Sequence, residues 1–306
     1  MGRAVVTGAT SFIGVNLVQN LLRKGFDVTA VIRPQTVKNT LLPESAGIQY
    51  LELDLSDYRS LHEHLNETPD IYFSLAWNGT RGRDRDDYHL QSMNCRYSVQ
   101  GLESILRTGC KKVITAGSQA QYGLYSERIT EKTVEKPVTQ YGIYKLKFYE
   151  EASALCAARG ASLKEPRFFS LYGPRDSEST MILSLIKSML KGLPCNLTLG
   201  IQKWDFLYIS DAIEALLCLA RKPCEDGVYN LGSGISRPLK EYIYEIRDIL
   251  GSKSDLIFGA VPYPSTGMVS TEPDISKIID QTGWEPQIPF QKGIQEVIKA
   301  IQEQGN

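Results

Sequence analysis

The chain has 306 residues, 42% hydrophobic and 23% charged, with a formal net charge of −1 at pH 7, enough to bury a large core as one big domain or a domain with a smaller lobe. Its 34 Lys and Arg are dispersed among 35 Asp and Glu, which argues against a nucleic-acid surface, and no apolar run approaches membrane-spanning length. The opening M-G-R-A-V-V-T-G reads as a strand without a leader and misses the myristoylation pattern, so a cytoplasmic protein is expected.

Strand and helix patterns alternate from the start. Residues 4–6 form a short apolar strand, and the helix after it carries Ile13, Leu17, Val18, Leu21 and Leu22 on one face before Gly25 stops it. Further strands are expected at 28–32, 48–53, 71–75, 112–116 and 163–170, with helices at 98–107 and 141–159. This alternation predicts an α/β fold of Rossmann type, a doubly wound parallel sheet with helices on both faces. After Pro174 the pattern loosens: helices at 181–191, 211–221, 240–250 and 291–302 are mixed with loops containing Pro194, Pro262 and Pro264. The expected organisation is a nucleotide-binding domain over 1–170, to which 203–231 returns, with a smaller substrate-binding lobe made mainly of 171–202 and 232–306. The run R-G-R-D-R-D-D at 81–87 reads as a solvated loop, with a substrate-covering role as the secondary reading.

Cys95, Cys110, Cys156, Cys195, Cys218 and Cys224 never form C-x-x-C, so buried reduced thiols are expected in place of disulfides or metal ligands. His62 and His64 have no further ligand cluster near them, and no metal is expected.

The first turn, T-G-A-T-S-F-I-G, places Gly8 and Gly14 between strand and helix. Gly8 permits the tight turn, Gly14 permits close helix–strand packing, and the helix amino terminus faces a pyrophosphate. Ser11 stands where such turns usually carry the middle glycine; it narrows the approach to phosphate, although its hydroxyl could donate a hydrogen bond. Asp54, closing the third strand, could hold an adenine amino group, and Ala76 could line the cofactor cleft. The second strand ends A-V-I-R-P, with Ile32 at the place where a ribose 2′-hydroxyl wants an acid and Arg33 beside it. Arginine suits a 2′-phosphate, so NADP is predicted over NAD.

Tyr141 and Lys145, in T-Q-Y-G-I-Y-K, stand one helical turn apart and share a face. A phenol near pKa ~10 is a poor proton carrier at neutral pH, and an adjacent ammonium favours its phenolate. The pair is therefore a candidate proton shuttle for carbonyl–alcohol interconversion. A chain with 16 tyrosines can also supply this spacing by chance, so its weight comes from the surrounding frame.

Several ordered segments carry a resemblance: T-G-A-T-S-F-I-G at 7–14, Asp54-Leu55, F-S-L-A-W at 73–77, Asn94, G-S-Q-A-Q-Y-G at 117–123 and Y-G-I-Y-K at 141–145. R-F-F-S-L-Y-G-P at 167–174, W-D-F-L-Y-I-S-D-A at 204–212, Y-N-L-G-S-G at 229–234 and E-P-D-I-S-K with G-W-E-P continue it. Over nearly its whole length the chain resembles the extended short-chain dehydrogenase/reductase family of nucleotide-sugar epimerases, dehydratases and reductases. The resemblance implies that Ser118 holds the reacting substrate oxygen, that Tyr141 carries its proton, and that Lys145 lowers the tyrosine pKa and holds the nicotinamide ribose. It places Thr10, Phe12, Ile13, Leu55, Leu75, Trp77, Asn94 and Phe168 along the cofactor. The same resemblance implies a nucleotide-diphosphate sugar touching Gln119 and Ser170, with Thr180, Lys203 and Arg237 on phosphate and Trp204 or Tyr208 giving shape. It also implies a homodimer through the helices 97–109 and 141–158.

Three reactions share such a triad. The family's 4,6-dehydratases carry Asp-Glu directly after the Ser/Thr, where this chain has Gln119 and Ala120. Epimerases acting also at C3 and C5 rely on an added Cys/His pair, and no cysteine lies in this segment. What remains is redox chemistry at C4. Arg33 tips the expectation to an NADPH-dependent reductase of an NDP-4-keto-6-deoxyhexose, ahead of a 4-epimerase, an unusual dehydratase, or a redox-sensing binding protein that has lost turnover.

Overall fold

The structure, a computed structural model, describes residues 2–34, 42, 45–263 and 269–304; Pro264 lies outside the described residues. Strand β1 (Arg3–Thr7) leads to helix α1 (Phe12–Arg23), then β2 (Asp27–Ile32), β3 (Ile48–Glu52) and β4 (Ile71–Ser74). Helix α2 (Tyr88–Arg107), β5 (Lys112–Thr115), β6 (Gly117–Ser118), α3 (Gln140–Ala158) and β7 (Ser162–Phe168) follow. These strands and β12 (Gly227–Leu231) form one parallel sheet in the order β3-β2-β1-β4-β5-β7-β12, with β6 beside β7 in line with β5. The order turns back at β1 and β4, which opens a crevice at their carboxyl ends.

Adjacent residues in the central strands serve opposite faces, as a pleated strand buried on both sides requires. Val6, Phe73 and Ile114 belong to the core shared with α1 and α5 (Ile209–Arg221). Val5, Tyr72 and Val113 belong to the core under α2 and α3. In α1, Leu17, Val18 and Leu21 are 0% exposed, and each such burial stabilises by about 1.5–3 kcal/mol.

The helix expected at 98–107 begins ten residues earlier, because Asp87 Oδ1 accepts the Leu90 N–H at 2.9 Å and caps it. The basic-acidic run before it is solvated, and within it Gly82–Asp86 forms a 3₁₀ turn. The strand expected at 163–170 ends at Phe168, and Leu171–Tyr172 is a separate strand, β8, that pairs with β11 (Leu207–Tyr208).

Beyond β8, α4 (Met181–Leu190), α6 (Leu239–Leu250) and α8 (Phe290–Gln304) build a separate core around Ile186, Ile243, Ile246 and Ile294. Two small sheets accompany it: β9 (Cys195–Leu197) with β14 (Leu256–Phe258), and β10 (Lys203–Asp205) with β13 (Ser236–Pro238). Helix α7 (Ser276–Thr282) lies in a segment where the sequence suggested no helix; seven residues are too few to show a periodic face. Cys95, Cys110, Cys156 and Cys195 are buried, Cys218 and Cys224 half-buried, and all six are free. Among the described residues, no helix is long and apolar enough to cross a membrane, and no group of three or more His, Cys, Asp or Glu could hold a metal.

Candidate active site

The glycines of the first turn are demanded by packing. Gly8 has φ +66°, and a Cβ there would stand 2.8 Å from the Ala76 nitrogen; a Cβ on Gly14 would stand 2.1 Å from the Gly8 oxygen. Ser11 caps α1, its Oγ accepting the Gly14 N–H at 3.0 Å, so the hydroxyl proton stays available for another acceptor. The N–H groups of Phe12 and Ile13, in the first turn of α1, have no intrahelical partner by construction. Thr10 is half-buried in the turn, and Arg33 is exposed just past the end of β2. Glycines that keep the turn open and spare N–H groups at the amino end of α1 fit a dinucleotide phosphate.

Two residues expected on the cofactor are partly spent on the scaffold. Asp54 Oδ1 accepts from Ser56 N at 3.0 Å and Ser56 Oγ at 2.9 Å, capping the 3₁₀ turn Leu55–His64, in which Leu55 is buried. Asn94 is buried, and both ends of its amide clamp the Asn78 backbone, at 3.1 Å and 2.8 Å. That clamp fixes the chain as it leaves β4 past Ala76 and Trp77.

Thr139 caps α3 through the Gly142 N–H, which sets Tyr141 and Lys145 on the turns facing the sheet. Lys145 is 3% exposed and donates from Nζ to the Ala116 oxygen at 2.8 Å. That carbonyl lies between β5 and β6, at a residue whose own N–H donates to the Ser74 oxygen of β4 at 3.0 Å. The ammonium also stands 4.0 Å from the Trp77 ring centroid. Burial lowers its pKa to about 8, against an upward pull from Glu165.

Tyr141 is buried, which pushes its phenol upward; the Ser118 hydroxyl and the Arg85 guanidinium pull it back. The Lys145 ammonium is directed to the Ala116 carbonyl and the Trp77 ring. Ser118 is fixed in turn: its N–H donates to Gln121 Oε1 at 2.7 Å, and its Oγ accepts from Ala120 N at 3.2 Å.

Beneath Ser118 lies a charged network that the sequence did not announce. Gln121 Nε2 donates to Glu165 Oε1 at 2.8 Å, and Arg167 Nε donates to the same oxygen at 3.0 Å. Glu165 and Arg167 are both 0% exposed. Burial pushes the Glu165 carboxyl up, while Arg167, Gln121 and Lys145 draw it down. A Cβ at Gly117 would meet Glu165 Cγ at 2.7 Å, so that glycine admits the carboxylate under the site.

A cavity of about 840 Å³ joins the α1 amino terminus to this cluster. Ser11, Phe12, Ile13, Leu75, Trp77 and Phe168 line one part, and Ser118, Tyr141 and Lys145 stand in the same wall. Ser170, Thr180 and Trp204 also line it. Four expected substrate residues are not among its lining. Gln119 sits in the 3₁₀ turn Gln119–Gln121, and Lys203 Nζ pairs with Glu272 at 2.6 Å. Arg237 pairs with Glu245 and lies 3.9 Å over the Tyr242 ring, while Tyr208 packs against Tyr172. Glu272 and Tyr172 are remote enough in sequence from Lys203 and Tyr208 that no local pattern foretells those pairings. The lining adds Arg81, which pairs with the buried Asp176 at 2.9 Å, and Arg175 at φ +67°, the one non-glycine residue with positive φ among the described residues. Arg81 carried a signal in the charged run at 81–87; Arg175 and Asp176 carried none.

The fold and site define an NAD(P)-dependent enzyme of the nucleotide-sugar type. Residues 4–232 match the model of the NAD dependent epimerase/dehydratase family, and the chain belongs to that family. It is 26% identical over 319 residues to UDP-N-acetyl-alpha-D-glucosaminuronate decarboxylase of Bacillus cytotoxicus, covering 98% of each chain. It is 25% identical over 303 residues to CDP-abequose synthase of Salmonella muenchen, covering 97% of each. Among solved structures, the UDP-glucose 4-epimerase of Thermotoga maritima with UDP-glucose superposes with TM-score 0.87 at 21% identity, over 99% of this chain and 100% of that one. MoeE5 in complex with UDP-glucuronic acid and NAD gives 0.83 at 24%, over 99% and 100%. These structural likenesses show the fold.

Proposed function

We propose that the protein reduces the 4-keto group of a nucleotide-diphospho-4-keto-6-deoxyhexose with NADPH, with Tyr141 as proton donor. The observation that carries the reading is the turn after Ser118, where Gln119 and Ala120 bring no titratable group beside Tyr141. Elimination of water needs an added acid and base; reduction of a carbonyl does not. Arg33, exposed past β2 with no acid at Ile32, supports NADP over NAD.

A nicotinamide held along Ser11, Phe12, Ile13 and Trp77 would supply the hydride to the carbonyl carbon. The Ser118 hydroxyl donates to the carbonyl oxygen and holds it as negative charge develops. Tyr141 gives that oxygen its proton, leaving a phenolate, and the buried Lys145, one turn along α3, sustains a positive field there. The nucleotide diphosphate sits where Thr180 of the lobe beyond β8 shares the cavity wall with Ser170 and Trp204. We further propose a cofactor domain of 1–170 with 203–231, a substrate lobe of 171–202 and 232–306, and a homodimer through α2 and α3, where Tyr88 and Ile143 are exposed.

A 4-epimerase is the second reading, supported by the fit to the Thermotoga maritima enzyme. The test mixes protein, NADPH and candidate NDP-4-keto-6-deoxyhexoses and follows absorbance at about 340 nm, where the reduced nicotinamide absorbs. Stoichiometric loss of absorbance is expected, and Tyr141→Phe should abolish it while NADP binding persists. Interconversion of 4-epimers without net cofactor consumption would establish the epimerase, and full turnover by Tyr141→Phe would sink the mechanism.

A further inference from the structure

The Tyr141 ring carries a cation from outside its own helix: the Arg85 guanidinium lies 4.7 Å from its centroid. Arg85 comes from the segment between β4 and α2, which is held at several points. Gln91 Nε2 donates to the Gly79 oxygen at 2.9 Å and to the Asp84 oxygen at 2.8 Å. Gln91 Oε1 accepts from Trp77 Nε1 at 2.7 Å, so the same amide locks the tryptophan under Lys145. Asp86 Oδ1 accepts the N–H of Gln140, the residue before Tyr141, at 3.2 Å. Arg81 reaches the buried Asp176 across the cavity at 2.9 Å. Arg85 itself donates from Nη1 to the Thr80 oxygen at 3.3 Å. A long flexible side chain is thereby presented to one ring from a fixed platform.

We propose that Arg85 is a positioning residue for Tyr141, strapped over the phenol by the 79–87 segment so that its charge favours the phenolate during proton transfer. The inference rests on Tyr141 being the proton carrier. A cation on the ring face interacts more favourably with a phenolate than with a neutral phenol. The other groups facing Tyr141 are Ser118 from β6, Trp77 from beyond β4 and Glu165 from β7, whose charge acts in the opposite direction; Lys145, one turn along α3, directs its ammonium to Ala116 and Trp77. Asp84, Asp86 and Asp87 neighbour Arg85 on its own segment and temper its field.

The test needs no substrate. Tyrosinate absorbance of the protein is followed against pH, and the curve of Tyr141→Phe is subtracted to leave the ionisation of Tyr141. The same subtraction is made in the Arg85→Gln and Arg85→Lys backgrounds. Ionisation should move to higher pH by about half a unit in Arg85→Gln, as a cation–π contact at a half-exposed site implies, and return to its original position in Arg85→Lys. Where turnover is measured, the same displacement should appear in the pH profile of hydride transfer. An unchanged ionisation in Arg85→Gln overturns the inference, as does a pH-independent fall in rate. Normal turnover by Tyr141→Phe would instead remove the reading of the site on which it rests.

Discussion

Lys145 is expected to cost stability in the form that serves the reaction, and Lys145→Met exposes the cost. Burial lowers its ammonium to about 8 from an ordinary 10.5; about 2.5 units at ~1.4 kcal/mol each makes the charged form about 3 kcal/mol less favourable folded than unfolded. Methionine removes that cost and fills a similar volume, but it strips the Ala116 carbonyl of its donor, a loss of about 1–3 kcal/mol for a buried acceptor. The two effects nearly cancel at neutral pH, so pH dependence is the diagnostic. The folded amine binds its proton less tightly than the unfolded one, so unfolding takes up a proton between the two pKa values and stability rises with pH there. From pH ~7 to pH ~9 the wild type should gain about 1.3 kcal/mol relative to Lys145→Met. Urea unfolding of both cofactor-free proteins at the two pH values measures it, with groups common to both cancelling. Parallel pH dependence would refute a desolvated ammonium at this position.

Two further outcomes follow from buried and exposed charge. Glu165→Ala leaves Arg167 without its fully buried partner, with only the 3.0 Å ion-pair contact to Glu135 remaining; a loss of about 3 kcal/mol in urea unfolding is expected, and a loss under about 1 kcal/mol would contradict the network's role. Arg33→Ala should weaken NADPH binding about tenfold or more while sparing NADH, since a charge-assisted contact to phosphate is worth roughly 1.5–3 kcal/mol. Equal affinities of the wild type for both cofactors, by fluorescence titration, would remove Arg33 from the ribose site.

Much of the frame was legible from local chemistry. The strands at 28–32, 48–53, 71–75 and 112–116 were visible because β-branched and apolar runs bounded by turn residues need no distant partner to be recognised. The helix boundary at Tyr88 was not, because the cap Asp87 sits inside a charged run that reads equally well as loop. The short strands β8 to β11 escaped notice because two or three residues carry no periodicity.

What the sequence determined by itself is the material of the site: glycines at 8 and 14, Ser118, and Tyr141 with Lys145 one turn apart on a helix. Such spacings are local, and local geometry follows from chain stereochemistry. Only the tertiary structure decided how the charges are spent. It gave Lys145 to the Ala116 carbonyl, Arg85 to the Tyr141 ring, Arg81 to Asp176 ninety-five residues away, and Lys203 and Arg237 to acids off the cavity. An ion pair depends on which surfaces the fold brings within a few ångströms, and residue type along the chain does not encode that distance.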